Sequence, residues 1–254
     1  MFVTIVTISY NAESLIERTL QSILQQSSVD YEYVLIDGKS TDKTLDIIHS
    51  YETAFCQKGV AFRCMSEPDK GIYDAMNKGL SLAKGEYIWF VNGGDVIASP
   101  TVLETIQMQL SKSDMPDFIY GETLIVNDQG VVLGKRRLKA PEKLDWKSFK
   151  MGMLVCHQSM LVRRTLAPTF DLQYSYSSDF DWTIRCLRAA KSVHNSKMVV
   201  SHFLDGGVSK KKMKASLKER FHIMSQYYGW LPTALRHLWF VLRAAWFKLL
   251  HGWI

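Results

Sequence analysis

The chain has 254 residues, 47% of them hydrophobic and 22% charged. That is enough apolar mass for one large domain, or a domain with an appendage, and it excludes a disordered chain. The net charge is +6 but unevenly placed: residues 210–254 hold nine Lys and Arg against one acid, Glu219, a balance of +8. The rest holds 22 basic and 24 acidic residues, a balance of −2. A mildly acidic body excludes a general nucleic-acid surface, and a basic tail points to something anionic.

Four cysteines, Cys56, Cys64, Cys156 and Cys186, show no metal-ligand spacing and read as buried, reduced thiols of a cytoplasmic protein. The N-terminal run is β-rich, with no basic n-region or cleavage site, so no signal peptide is expected there. Residues 2–9 read as a buried strand, followed by Asn11 as a helix cap and by Ile16, Leu20, Ile23 and Leu24 at helical spacing. Residues 33–36 read as a second strand ending in Asp37-Gly38-Lys39-Ser40-Thr41-Asp42, with Ser40 capping the helix beyond. Residues 60–65 read as a third strand and 72–83 as a helix that tolerates Gly79. A fourth strand spans 87–91, and Pro100 opens a helix running to Leu110.

Four β-α units in about 110 residues imply an α/β fold, with a Rossmann-like, mostly parallel sheet and helices on both faces. The pattern then changes. Residues 123–127 and 131–135 read as a hairpin, 158–162 as a strand, 179–190 as a helix and 193–203 as a β-rich run. The first turn, Ser9-Tyr10-Asn11-Ala12, lacks the G-x-G-x-x-G of dinucleotide-binding folds, and no P-loop is present.

The polar loops fall where strands end. Glu67-Pro68-Asp69-Lys70-Gly71 runs into a helix, and Asn92-Gly93-Gly94-Asp95 follows the fourth strand. Ligands of open α/β sheets bind where loops leave the carboxyl ends of strands. Asp37, Asp69 and Asp95 share that edge, and Asp179 starts a later helix. Each alone also reads as an ordinary cap or surface acid. Together they suit a polar ligand carried with Mg²⁺ or Mn²⁺, which take hard carboxylate ligands and complete their shells with phosphate and water. Gly93-Gly94 leaves room for a phosphate against the backbone.

Six segments, in order, resemble family-2 glycosyltransferases, above all those that build bacterial exopolysaccharide of the colanic-acid type. They are Val6 to Asn11, Ile36 to Asp42, Ser66 to Gly79, Gly85 to Asp95, His157-Gln158 and Ser177-Ser178-Asp179. The resemblance covers residues 1–209 and implies a GT-A fold, with a nucleotide-sugar half over 1–115 and an acceptor half over 116–209. It also implies a nucleotide-sugar donor, a divalent metal and inversion at the anomeric carbon. By position it implies Asp37 at the nucleotide base, Asp69 beside the same pocket, Asp95 on the metal and Asp179 as general base. Ser9, Asn11, Asn77, Asn92, Gly93 and Gly94 would complete the donor site. His157, Gln158 and Ser178 are candidates for the acceptor side, and His157 reads equally as packing. His202 is a candidate metal ligand or diphosphate contact, and Lys210, Lys211 and Lys212 can close over the diphosphate or form a solvated charge run. Two departures stand out. The metal motif holds one carboxylate, and Ser178 replaces the acid that precedes the family's base.

The tail from Pro232 contains no acid. On a helical wheel Arg236, His237, Arg243, Lys248 and His251 share an arc of about 140°. Trp239, Trp246 and Trp253 suit a membrane interface, and the apolar runs are too short for a span. The expectation is a membrane-associating tail over 210–254, on an enzyme peripheral to the cytoplasmic face of the membrane. Its acceptor would be a polyprenyl-diphosphate-linked saccharide. A helix docked on its own domain is the alternative. For the whole chain, a sugar-1-phosphate nucleotidyltransferase and a non-catalytic glycan-binding protein are the rival readings.

Overall fold

The structure, a computed structural model, describes residues 1–110, 115–206 and 212–251. The first half runs β1 (Val3–Ser9), α1 (Ile16–Leu24), β2 (Tyr31–Asp37), α2 (Thr44–Ser50), α3 (Glu52–Gln57), β3 (Ala61–Ser66), α4 (Ile72–Leu82), β4 (Tyr87–Phe90), β5 (Val96–Ile97) and α5 (Val102–Leu110). The second runs β6 (Phe118–Val126), β7 (Val132–Lys135), β8 (Met160–Arg163), α6 (Ser178–Ala189), β9 (Val193–Leu204), α7 (Met213–Tyr228) and α8 (Trp230–His251).

One sheet carries both halves, in the order β3-β2-β1-β4-β8-β6-β9-β5, with β7 paired to β6. The first four strands are parallel, and Val6 sits opposite both Val34 and Phe90. Strand β8 then runs antiparallel to β4 and to β6, and β9 parallel to β6. Strands β1, β2 and β4 are buried along their whole length, which is why they read as near-continuous apolar runs rather than alternating ones. Val6, Val34, Met76 and Phe90 enter one core with Phe180 and Trp182. Ile5, Leu35 and Trp89 enter the other with Ile16 and Ile106. Gly79 is required rather than tolerated: a Cβ there would stand 2.4 Å from Val6 Cγ1, so α4 lies close on β1 because that residue is glycine.

Several expectations shift. The strand expected over 158–162 begins only at Met160, after a 3-10 turn over 157–159. Strand β6 starts at Phe118, earlier than the hairpin pattern suggested, and α3 adds a helix. All four cysteines are free, but Cys56 is exposed.

The basic tail divides in two. Helix α7 is built into the domain: Ile223 and Met224 belong to the same core as Val6. The Glu219 carboxylate accepts from the Ser175 and Tyr176 amides, each at 2.9 Å, and the Tyr227 hydroxyl donates to Asp181 Oδ1 at 2.7 Å. Helix α8 leaves the body, with Trp230, Leu231, Leu235, Leu238 and Leu242 exposed. Among the described residues no helix is long and apolar enough to cross a membrane.

Candidate active site

A cavity of about 1010 Å³ opens at the carboxyl ends of β1 and β4. Ser9, Asn11, Asp69, Asn92 and Gly93 line one side of it. The opposite side comes from Asn127, Asp128 and Leu133 of the β6–β7 hairpin, Ser175 and Tyr176 ahead of α6, and Asp205 after β9. The first five are the expected ones; the others fall outside the six segments that carry the resemblance. Arg18 sets the hairpin at the mouth, donating through Nη1 to Asn127 O at 3.1 Å and Asp128 O at 3.3 Å.

The loops after β1 and β2 are latched together. Asn11 does not cap α1. It sits at a left-handed φ of 46°, accepts the Thr41 amide on Oδ1 at 2.9 Å and donates its own amide to Ser40 Oγ at 2.9 Å. Asp42, not Ser40, serves the start of α2, accepting from the Thr44 amide at 3.0 Å. Asp37 is fully buried at the end of β2. Its carboxylate accepts from the Ser40 amide at 2.9 Å, Ser66 Oγ at 2.7 Å, Ser9 Oγ at 3.4 Å and Ser40 Oγ. Those bonds use Asp37 to tie three loops, and it is Asp69 that borders the cavity. Gly38 makes this possible, since a Cβ there would fall 2.5 Å from Asp69 Oδ2.

Behind the cavity wall lie two carboxylates joined by one turn. Asp95 is 5% exposed; Oδ1 accepts from the Leu204 amide at 2.9 Å and Oδ2 from Gln158 Nε2 at 2.7 Å. Burial pushes its pKa up to about 6 against the pull of those bonds and of His157 and Arg18. The neighbouring His157 reaches the other way. Its Nδ1 lies 3.2 Å from Asp179 Oδ2, and its Nε2 lies 3.0 Å from Asn92 Nδ2. Asp179 Oδ1 accepts from the Tyr73 hydroxyl and the Phe180 amide, both at 3.0 Å. Burial raises the Asp179 pKa, but the His157 bond and charge, Arg220 and Tyr73 outweigh it, and the carboxyl ends below its ordinary value. A continuous chain thus runs Tyr73–Asp179–His157–Asn92 and ends on the cavity wall.

Other candidates are placed elsewhere. Asn77 is not at the cavity: its amide clamps Phe170, donating to Phe170 O at 3.0 Å and accepting from Phe170 N at 2.7 Å. Gly94 turns toward α1, its amide bonded to Thr19 Oγ1 at 2.9 Å. Ser178 is buried and donates to Asp171 O at 2.8 Å. His202 lies on β9 opposite Val96, away from the cavity lining; burial and Arg18 lower its pKa. Lys210 and Lys211 lie outside the described residues, as do the side chains of Arg243, Trp246, Lys248, His251 and Trp253.

Whether these residues suit a divalent cation is answered by their donor atoms. Among the described residues no three His, Cys, Asp or Glu converge, so a cage made by protein alone is not formed. Yet Asn92 Oδ1 and Gln158 Oε1, on the two amides around Asp95, are buried without a hydrogen-bond partner. Such orphan oxygens are costly unless something arrives to use them. One carboxylate with two amide oxygens is a hard donor set, and it fits an ion brought in with a diphosphate.

The profile of Glycosyl transferase family 2 matches residues 4–167. The chain belongs to that family. It is a glycosyltransferase of GT-A fold. A PGL/p-HBAD biosynthesis glycosyltransferase of Mycobacterium bovis is 29% identical over 211 residues, covering 81% of this chain and 78% of that protein. A poly(ribitol-phosphate) beta-glucosyltransferase of Bacillus spizizenii is 35% identical over 133 residues, 52% of this chain but 20% of the relative. The structure of S. aureus TarS 1-349 in complex with UDP superposes with a TM-score of 0.69 at 18% identity, covering 89% of this chain and 66% of that one. The mannosyltransferase PcManGT from Pyrobaculum calidifontis, in complex with GDP-Man and Mn2+, gives 0.61 at 15% identity, over 99% and 76%. At such identities the structural likeness bears on the fold alone.

Proposed function

We propose that the protein is an inverting, metal-assisted glycosyltransferase that uses a nucleotide-diphosphate sugar, UDP-linked, as donor. Its acceptor is a hydroxyl of a polyprenyl-diphosphate-linked saccharide, made at the cytoplasmic face of a bacterial membrane for exopolysaccharide. The observation that carries this reading is the chain from the cavity wall through Asn92 and His157 to Asp179. It sets a carboxylate of lowered pKa behind a cavity built from strand-end loops. The UDP bound by TarS supports the donor class.

The donor's nucleotide would lie along Ser9–Ala12 and Asp69, its diphosphate against Gly93 and the Asn92 amide. A divalent ion, held by Asp95 with the carbonyl oxygens of Asn92 and Gln158, would neutralise charge on the leaving diphosphate. Among the described residues Asp179 Oδ2 accepts one bond, from His157, which leaves a lone pair for an incoming hydroxyl. As the acceptor oxygen attacks the anomeric carbon, its proton passes to that oxygen and the bond to the diphosphate breaks, inverting the centre. A positioned base of this kind supplies about 10²–10⁴-fold. No second carboxylate acts as leaving-group acid, unlike in a glycoside hydrolase. The exposed apolar face of α8, followed by no acid to the end of the chain, supports membrane association.

The test is release of free nucleoside diphosphate from a panel of nucleotide sugars with Mn²⁺ and lipid-linked or soluble saccharides. Acceptor-dependent UDP release that Asp179→Asn removes is the expected result. Silence across donors, or release untouched by Asp179→Asn, would reject the proposal.

A further inference from the structure

Helix α8 does not close against the domain at its start. Between it and the short 3-10 helix Trp146–Met151 runs an apolar groove of about 530 Å³, lined by Met151, Leu231, Pro232, Leu235 and Trp239, with Arg236 in its wall. Beside the groove is an aromatic platform. The Trp146 and Tyr228 rings stack with centroids 5.7 Å apart and planes 10° from parallel. The Tyr228 hydroxyl fixes the pair by donating to Trp146 O at 2.6 Å.

Cations cluster on that platform. Lys147 Nζ lies 5.8 Å from the Trp146 ring centre and Lys150 Nζ 5.4 Å from that of Tyr228. Arg188, at the end of α6, lies 5.4 Å from the Trp146 ring and 5.6 Å from that of Tyr227. None of these three, nor Arg236, forms an ion pair with a carboxylate among the described residues. Two acids stand near the patch: Asp145 caps the 3-10 helix through Ser148, and Asp181 pairs with Arg185.

Cations for phosphate, indole and phenol rings for the headgroup level, and an apolar trough for acyl chain are the components of a surface made for a bilayer interface. We infer that this patch, built from Trp146–Met151, the end of α6 and the start of α8, is where the protein docks on a bilayer of anionic phospholipid. The inference rests on the membrane association proposed above and extends the contact from the tail onto the catalytic domain. It has a geometric consequence. Asp179 opens α6 and Arg188 nearly closes it, so the base lies about 14 Å along the helix from the contact, at 1.5 Å per residue.

The experiment is sedimentation of the full chain with vesicles of phosphatidylglycerol and phosphatidylcholine. Lys147→Gln and Arg188→Gln are the variants, both sites being exposed, and Lys84→Gln, equally exposed, is the control for loss of one charge elsewhere. Each patch variant should lower vesicle partition about fivefold, from roughly 1 kcal/mol per basic residue at an anionic surface. The control should match the parent, and raising salt toward 1 M should erase the differences. If the parent binds vesicles and both patch variants bind as the control does, the patch is wrong while the membrane reading stands. If the parent ignores vesicles, both fall. Circular dichroism of each variant separates lost binding from lost fold.

Discussion

Asp95 holds a negative charge where burial disfavours it. With a folded pKa of about 6 above an unfolded value of about 3.9, its contribution is most favourable when protonated, below the unfolded value, and is lost as pH rises through 6. Above that the carboxylate costs about 3 kcal/mol. Asp95→Asn should therefore abolish metal-dependent transfer and yet raise the melting temperature at pH 7 in chelator, with the gap closing by pH 4. The new amide oxygen can still accept from Leu204, and its NH2 can donate to Gln158 Oε1 once that side-chain amide turns over. A variant that melts lower at pH 7 would refute the account. At Asp179 the sign is opposite. His157 helps to lower that pKa, so His157→Ala should move the acidic limb of the turnover profile to higher pH and lower kcat by about tenfold or more. An unmoved limb would make His157 packing alone. Both acids were picked out in the sequence because several carboxylates recur together where strands end and a helix starts, although each alone also reads as an ordinary cap. The place of Asn77 was not legible, because its partner Phe170 lies 93 residues away, and neither were the serines that use up Asp37.

At the scale of elements, what was legible followed from burial. Strands sealed on both faces must be apolar throughout, so β1, β2 and β4 announced themselves. The strand expected over 158–162 starts only at Met160, because the buried side chains of Gln158 and Ser159 are held in a 3-10 turn by bonds to Asp95 and to Ser201 and Thr123. Helix α7 was hidden for a different reason: it buries only Ser216, Ile223 and Met224, so basic residues dominate its pattern. The tightest contact between elements is α4 on β1. Gly79→Ala inserts a methyl where Val6 Cγ1 already stands, and should destabilise by about 1–3 kcal/mol despite the better helix propensity of alanine. Urea denaturation reads this directly, and an unchanged or raised midpoint would mean that α4 can shift without cost.

Across the whole molecule, the basic C-terminal charge serves two tasks, and the boundary between them falls at Gly229. Before it, α7 supplies core side chains and the Glu219 bonds that hold the loop entering α6. After it, α8 keeps Thr233 buried and packs His237 against Phe221, with ring centres 5.0 Å apart, but turns leucines and tryptophans outward. Two truncations separate these roles. A chain ending at 228 should stay folded and keep most of its transfer to a water-soluble acceptor. It should lose most of its vesicle binding, because the apolar contact is gone and only the salt-sensitive cations near Trp146 remain. A chain ending at 212 should aggregate, since it uncovers the core that Ile223 and Met224 close and releases the segment before Asp179. If the chain ending at 228 aggregates as well, while the intact protein ignores anionic vesicles, then α8 is structural and the enzyme meets its acceptor without a membrane-bound face.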